Sequence, residues 1–457
     1  MDWKKENNVE FIDLKVIDIY GKLHHVVLPG ERLNKSLFEN GIGFDASNFG
    51  YSNIEESDMI MIPEEETAFI DPFYDRKTLS FLCNVIKVKD NEPYLDYPRS
   101  LLKKSLTLLK NLNFSDIMLG PELEFHIFEK IQYNSAVNSS GYFLDVKEGY
   151  WNSNLDSSNI IKKKMGYHAS LPEDTFANFR NEAAFMMKEI GIPVKYHHHE
   201  VSTAQQEFEL NFQPALKSAD SIVLSKYILH NLANKLGMNV TFMPKPLTGE
   251  AGNGMHIHQY IIDERGDNRF SGDVYSGLNK MALRYIGGIL KHSVSGSLLA
   301  FTNPTTNSYK RLVPGYEAPV GAIFGKSNRS AAIRIPGYVK DSQKSRLEFR
   351  TIDATCNPYY AIASMLMAGL DGIAKNIDTE KEGYGPYEKN LYECSDSIKT
   401  FPSDLKEVLE GLKTDSEYLK PIFSNNLIQK WISLKEKEIR RIGEIPHPIE
   451  FEMYFDL

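Results

Sequence analysis

Four short stretches place polar side chains two residues apart with apolar residues between them: Glu122-Leu123-Glu124-Phe125-His126, Glu207-Phe208-Glu209-Leu210-Asn211, His256-Ile257-His258 and Arg346-Leu347-Glu348-Phe349-Arg350. Residues i and i+2 share a face in a strand but not in a helix, so the alternation predicts four strands, each with its charged face turned one way. Before residue 97, the apolar runs Val16–Ile19, Val26–Leu28 and Leu79–Val88 alternate with Gly and Pro, which predicts a small sheet-rich region. After Tyr97-Pro98-Arg99, leucines at helical spacing predict a helix over Ser100–Leu112 that opens a longer domain. Helical patterns over Asp174–Ile190, Asp220–Leu236 and Val274–Leu290 then alternate with the polar-faced strands. Such alternation favours an α/β layer or barrel with its site on the strands. From Pro402 onward, Leu405–Leu412 and Leu427–Ile442 read as helices with Lys and Glu on their solvent faces. No internal repeat, low-complexity tract or coiled-coil register is present.

A half-buried strand ordinarily turns its polar face to water, and that is sufficient for any one of these stretches. Together they carry five acids, three histidines and two arginines. That set is the ligand chemistry of a hard divalent cation with an anionic substrate beside it.

Composition narrows the class. At 457 residues the chain exceeds one ordinary core. Hydrophobic residues at 42% and charged residues at 25% are those of a globular protein in water. A formal charge of −9 without a long basic run argues against nucleic acid as the main partner. The three cysteines, Cys83, Cys356 and Cys394, form no CxxC pair, so neither a disulfide framework nor a zinc-thiolate site is expected, and a reducing cytoplasm is the expected location. The start lacks the apolar core of a signal peptide, and the longest apolar stretch, Tyr359 to Leu370, is too short to span a bilayer, so no membrane partner is expected.

Three motif-like strings carry less than they promise. Gly321 to Ser327 is one residue short of a phosphate-cradling P-loop, with Val320 where the first glycine belongs. The glycines 249, 252 and 254 lead into the His256/His258 strand and not into a helix, so they are no dinucleotide fingerprint. They read instead as a loop whose bare backbone lets a small ligand approach the strand end. His197, His198 and His199 cannot all bind one ion, because neighbours on a strand point opposite ways. The informative residue there is Glu200.

Several longer strings resemble type I glutamine synthetase in order and approximate spacing. They are Gly120-Pro121-Glu122-Leu123-Glu124, His198-His199-Glu200, Gln205-Gln206-Glu207, Thr241 to Pro246, Gly252 to His256, the thirteen residues Asn307 to Pro319, Asn328-Arg329-Ser330 and Ile333 to Pro336. Phe44-Asp45 and Glu56 to Met59 resemble the N-terminal part of that family. The resemblance implies an α+β protein: a β-grasp domain over 1–97, then a catalytic domain over 98–457 with a curved, barrel-like antiparallel sheet. The implied reaction joins ammonia to the γ-carboxylate of glutamate at the expense of ATP, through a γ-glutamyl phosphate. Two or three Mg²⁺ or Mn²⁺ ions are implied, one held by Glu124, Glu200 and Glu207 and a second by Glu122, His256 and Glu348. His258, Arg329, Arg334 and Arg346 look like the residues facing the nucleotide and its phosphates. Arg311 and Arg350 look like those holding the carboxylates of glutamate, with Gly252 in the loop beside it. Asp45, Tyr167, Glu200 and Glu317 look like the groups that bind ammonium and remove its proton. In the family Asp45 reaches a neighbouring subunit's site, so a dodecamer of two stacked hexameric rings is expected, with glutamate, ammonium and ATP as small-molecule partners.

Departures from the pattern open an alternative. Asp45-Ala46-Ser47-Asn48 replaces Asp-Gly-Ser-Ser, Ala251 replaces an asparagine, Asn253 a serine, Tyr260 a serine, and His168 a phenylalanine. Ala251 removes an amide near glutamate, which leaves a γ-glutamyl-amine ligase with the same mechanism as the second reading. A synthetase-like protein without catalysis is a third, disfavoured because every expected metal ligand is present. The residues alone, before the resemblance, also fit a metal-dependent hydrolase that needs no ATP. Tyr392 matches a tyrosine that some type I enzymes adenylylate, but Glu393 to Asp396 depart from the regulated pattern.

Overall fold

The computed structural model describes residues 8–51, 57–152, 159–316, 318–390 and 398–457. Its N-terminal strands are β1 (Phe11–Ile17), β2 (Leu23–Pro29), β3 (Ile42–Asp45), β4 (Asp58–Pro63), β5 (Phe69–Ile70) and β6 (Thr78–Lys87). They form one sheet in the order β2-β1-β6-β4-β3, with β5 also on β6. Only β1 and β6 run parallel. Ile12, Leu14 and Val16 of β1 are buried, and so are Asp13 and Lys15 on its opposite face. That charged face is covered by the helix Ala215–Lys235: Lys15 Nζ lies 4.4 Å from the Tyr227 ring, and Tyr227 donates to Asp71 at 2.8 Å.

The second sheet has nine strands, drawn from β7 (Asp116–Phe128), β10 (Val194–His199), β11 (Gln205–Leu210), β12 (Gln213–Pro214), β13 (Asn239–Thr241), β14 (Met255–Ile262), β16 (Gly321–Lys326), β17 (Ala331–Ile335) and β18 (Leu347–Phe349). Its order is β10-β11-β7-β14-β18-β17-β16, with β12 and β13 also pairing β7. Every pair is antiparallel except β16 with β17, so the sheet is not the parallel core of a doubly wound α/β fold. The four polar-faced stretches lie on β7, β11, β14 and β18, which are consecutive neighbours in this sheet once β7 is placed between β11 and β14. A separate hairpin, β8 (Lys130–Ala136) with β9 (Ser139–Asp145), projects from the end of β7. The remaining strand, β15, spans Ser271–Tyr275.

Helices pack against this sheet, chiefly Ala215–Lys235 against β7. The predicted Ser100–Leu112 helix runs Pro98–Asn111, with proline at its first turn, where the missing N–H costs nothing. The apolar stretch Tyr359 to Leu370 is the buried centre of the helix Pro358–Ala374. One expectation shifts: Val274–Leu290 is not a single helix, because β15 takes its first residues and the helix runs Lys280–Val294. Ser276 and Gly277 adopt positive φ, and Asn279 caps the helix by accepting from Ala282 N–H at 3.0 Å, so the backbone turns before helix can begin.

The N-terminal region is tied to the helices of the longer domain through Arg99. Its guanidinium, almost fully buried, donates to both carboxylate oxygens of Asp220, on the helix Ala215–Lys235, at 2.9 and 2.7 Å and also reaches Glu64, just after β4. Tyr359 donates to the same Asp220 at 2.6 Å. Burial works against the Glu64 carboxylate, but Arg99 and Lys103 prevail and hold it at about 2. Because that value lies below the ordinary one, the pair adds stability above pH ~4.5 and loses it as pH falls toward about 2. Arg99→Leu leaves Asp220 without its cation and Glu64 with Lys103 alone, and should cost about 3–5 kcal/mol in urea unfolding at pH 7. The same variant should show a smaller loss of stability between pH 5 and pH 3 than the parent chain; equal acid sensitivity in both would show that Glu64 does not depend on Arg99.

Candidate active site

Register in the second sheet brings the charged faces into rows. Glu207 on β11 sits opposite Glu124 on β7, and Glu209 opposite Glu122. Glu122 in turn faces His256 on β14. His258 faces Glu348 on β18, and Glu348 faces Arg334 on β17. His198 on β10 lies opposite Glu207. Directly opposed side chains in an antiparallel pair lie within about 5.5 Å at Cβ, so this pairing forces like charges together.

The chain offsets that repulsion on one side only. Glu348 Oε1 accepts from Arg350 Nη1 at 2.6 Å, and Glu348 also pairs with Arg334. Burial opposes its ionisation, but Arg350, His258 and Arg334 hold it at about 2. Glu122 accepts from His258 Nε2 at 2.8 Å and His256 Nδ1 at 3.0 Å, and these rings outweigh burial and keep its carboxyl well below the usual range. Glu207 has only the His198 ring, 3.7 Å away and disfavoured as a cation by its burial. Burial, with the neighbouring charges of Glu122, Glu200 and Glu124, pushes its carboxyl well above the usual range.

A cavity of about 170 Å³ opens over this row. Its lining includes Glu122, Glu124, Glu200, Glu207 and His256 together with Arg311, Arg329, Arg334 and Arg350. Tyr167, Ala251 and Gly252 also reach it. Glu122, His256 and Glu348 present three ligand atoms within 4.8 Å of one another. His198, Glu200 and Glu207 form a second such group, and Glu122, Glu209 and His258 a third. Carboxylates with one imidazole, carrying an uncompensated charge at Glu207, fit a hard divalent cation in chemistry and in spacing. Glu124 lines the same cavity, but its Oε2 accepts from Gly254 N–H at 2.6 Å, and its Oε1 lies 3.6 Å from His256 Nε2.

The loop 244–254 is built around one arginine. Arg311 donates to Thr351 O at 2.9 Å and Arg350 O at 3.1 Å, threading beneath Gly254. A Cβ at Gly254 would lie 2.3 Å from Arg311 Nη2, and one at Gly252 would lie 2.1 Å from the Pro244 carbonyl oxygen, so glycine is required at 252 by contact with backbone. Asn253 is committed to structure: it accepts from Gln205 Nε2 at 3.3 Å, faces His126 Nδ1 at 2.8 Å and donates to Met243 O at 2.9 Å. His126, fully buried and held at about 3 by that burial, is a packing residue and not a ligand.

Other expected residues lie elsewhere. His258 and Arg346 are outside the cavity lining. Arg346 stacks over Phe212 at 5.4 Å and donates to Tyr338 at 3.2 Å, and Phe212 packs at 6.3 Å from His258 and 5.2 Å from Tyr260. Asp45 ends β3 in the N-terminal sheet, where its exposed carboxylate accepts from Ser47 and Asn48, away from this chain's cavity lining. Glu317 and Tyr392 fall outside the described residues. His198 was not singled out as a ligand, although the period of two that found the other strands places it on one face with Glu200 and Tyr196. Gln205, which bonds Glu124 Oε2 at 3.3 Å and Gly252 O at 3.0 Å, was likewise not singled out, although it stands two residues before Glu207 on the same face of β11.

The family described as glutamine synthetase, catalytic domain, matches residues 96–454, and that described as glutamine synthetase, beta-Grasp domain, matches residues 8–88. The chain belongs to the glutamine synthetase family. A glutamine synthetase from Nostoc sp. is 42% identical over 470 aligned positions, covering 99% of this chain and 98% of that one. A 3-hydroxylaminophenol mutase from Cupriavidus pinatubonensis is 41% identical over 99% of this chain and 98% of its own. The structure of the Plasmodium falciparum glutamine synthetase matches with a TM-score of 0.89 at 27% identity, covering 98% of this chain and 96% of that one. The N-terminal sheet is thus the family's β-grasp domain, and the curved nine-stranded sheet its catalytic one. Family members use ATP and divalent metals in general, and no helix among the described residues is long and apolar enough to cross a membrane.

Glu207 supplies a direct test of the cation fit. A carboxyl whose folded value is raised favours the folded state below pH ~4.5 and opposes it as pH rises through the raised value. In EDTA, Glu207→Gln should therefore melt above the parent chain at pH 7.5, by more than at pH 5. Addition of Mn²⁺ should raise the melting temperature of the parent by more than that of the variant, which keeps the group formed by Glu122, His256 and Glu348. A variant less stable than its parent in EDTA at pH 7.5 would rule out the repulsion described here.

Proposed function

We propose that this chain ligates ammonia to the γ-carboxylate of L-glutamate, with ATP consumed through a γ-glutamyl phosphate, and so serves glutamine synthesis and nitrogen assimilation. The observation that carries the reading is one cavity lined both by four carboxylates, Glu122, Glu124, Glu200 and Glu207, and by four arginines, Arg311, Arg329, Arg334 and Arg350. Phosphoryl transfer is chiefly positioning and charge neutralisation, and this lining provides for both.

Arg311 and Arg350 hold the glutamate carboxylates, each already fixed by backbone or carboxylate contacts, so little ordering is left for substrate binding. Arg329, at the exposed rim and in contact with Tyr167, together with Arg334 faces the transferred phosphate. Arg346 and His258, beside Phe212 and Tyr260, form the nucleotide side. Glu122, Glu124, Glu200, Glu207, His256 and Glu348 hold two Mg²⁺ or Mn²⁺ ions, with His198 beside Glu207 and a third ion at the nucleotide phosphates. When bound, these ions neutralise phosphate charge and polarise the acyl oxygen. Glu200 and Tyr167 bind ammonium and take up its proton. Asp45 of a neighbouring copy and Glu317 complete that acceptor site, in a dodecamer of stacked rings in the cytoplasm. A 1–97 and 98–457 domain division accompanies this reading.

The alternative is a γ-glutamyl-amine ligase, favoured by Ala251, which lines the cavity where the family's amide would stand. An amine panel with ATP, glutamate and Mg²⁺ or Mn²⁺ separates the two. Ammonium should give the highest kcat/KM and glutamine the main product mass; a primary amine that outcompetes ammonium would replace this reading with the alternative. Ala251→Asn should lower the KM for glutamate a few-fold, the effect of one hydrogen bond of roughly 0.5–1.5 kcal/mol.

Shared sites make a second prediction. Asp45→Ala and Arg329→Ala chains, each inactive alone, should regain part of the activity when mixed and reassembled, because some interfaces then hold both residues intact. No recovery in oligomers proven to be mixed would place Asp45 outside the site.

A further inference from the structure

Glu148 is a fully buried carboxylate that none of the roles above employs. Its Oε1 accepts from the backbone N–H of Ala204 at 2.7 Å and from His199 Nε2 at 2.9 Å, and its Oε2 accepts from Thr175 Oγ1 at 2.6 Å. The other ring nitrogen of His199 lies 2.7 Å from the carbonyl oxygen of Glu200. Both neighbours of this ring are acceptors, so it donates from both nitrogens, and its positive charge faces Glu148.

The turn joining β10 to β11 is thereby held at both ends by one carboxylate. At its start, His199 fixes the backbone of Glu200. Near its end Ala204 adopts φ 66°, a conformation costly for a residue with a Cβ, and its N–H bond to Glu148 holds it there. Glu207 follows three residues later on β11. The segment carrying Tyr167 rests on the same group: His168 N–H donates to His199 O at 3.0 Å and Gly166 N–H to Val201 O at 3.0 Å. A Cβ at Gly166 would lie 2.6 Å from His199 Nδ1, so this segment packs directly on the ring.

We propose that Glu148 and His199 are positioning residues, a buried ion pair that sets Glu200, Glu207 and Tyr167 around the cation-binding and amine-accepting end of the cavity. The inference rests on Glu200 and Glu207 being cation ligands, as in the proposed function. Groups that fix metal ligands from behind cost about ten- to a hundred-fold in metal affinity when changed.

The test is Mn²⁺ binding to the assembled, metal-stripped full-length chain, followed by calorimetry without nucleotide or glutamate. Glu148→Gln, which keeps the shape and removes the charge, should weaken Mn²⁺ binding about ten-fold or more. Asp415→Asn serves as the comparison, since it disturbs a buried His292 contact of 2.7 Å far from the cavity lining. It should lower the melting temperature and leave the Mn²⁺ Kd unchanged. Thr175→Val, a milder change that removes one bond to Glu148, should weaken binding by a smaller factor and covers the case in which Glu148→Gln does not fold. Wild-type Kd in both Glu148→Gln and Thr175→Val would overturn the proposal, as would equal weakening in Asp415→Asn. A parent chain that binds Mn²⁺ without forming glutamine would refute the proposed reaction while leaving this comparison intact; one that binds no Mn²⁺ would refute both.

Discussion

Everything at the site depends on the pairing of β7 with its two neighbours. A shift of one residue would turn Glu122 and Glu124 to the opposite face and bring their apolar neighbours into the cavity. In the observed register the strands place Glu124 against Glu207 and Glu122 against both Glu209 and His256. Such an arrangement of buried like charges is unfavourable unless cations stand among them. The chain supplies part of the compensation from β14, β17 and the end of β18 through His256, His258, Arg334 and Arg350. Glu207 has only the His198 ring, 3.7 Å away, and this imbalance is what the proposed cation would relieve.

Rigidity follows from how the loops attach to that sheet. Asn253 joins the 244–254 loop to β7 through His126 and to β11 through Gln205, while Arg311 passes beneath Gly254 and ends on the backbone of residues 350 and 351. The arginines are therefore oriented before any ligand arrives, which lowers the ordering cost of binding. Arg329 differs: it stands exposed at the rim, in contact with Tyr167, and has room to change position.

Family membership sets the scaffold more firmly than the substrate. Relatives of nearly equal identity carry the names glutamine synthetase and 3-hydroxylaminophenol mutase, so identity near 41% spans more than one activity. The residues that bear on this choice are few and local. Ala251 offers no amide at its place in the cavity lining, and Asn253, two residues along the loop, cannot replace it because its side chain is already bound to the protein.

Much was legible along the chain because strands and helices have different periods. Alternation at Glu122/Glu124, Glu207/Glu209, His256/His258 and Glu348 identified the chemical strands, and leucine spacing identified the helix from Pro98 within two residues. The run from Asn307 to Pro319 identified the family. Period alone could not reveal order: that β7 lies between β11 and β14, that most strands are antiparallel, or that helix over Val274 to Asn279 gives way to a strand and a glycine turn. Those depend on long-range pairing and on backbone angles that no local pattern encodes. The division of the acids into a compensated half and an uncompensated half was likewise a tertiary outcome, because a carboxylate's environment is set by side chains far away in sequence. Glu148 and His199, separated by 51 residues and joined at 2.9 Å, became a pair only when the chain folded.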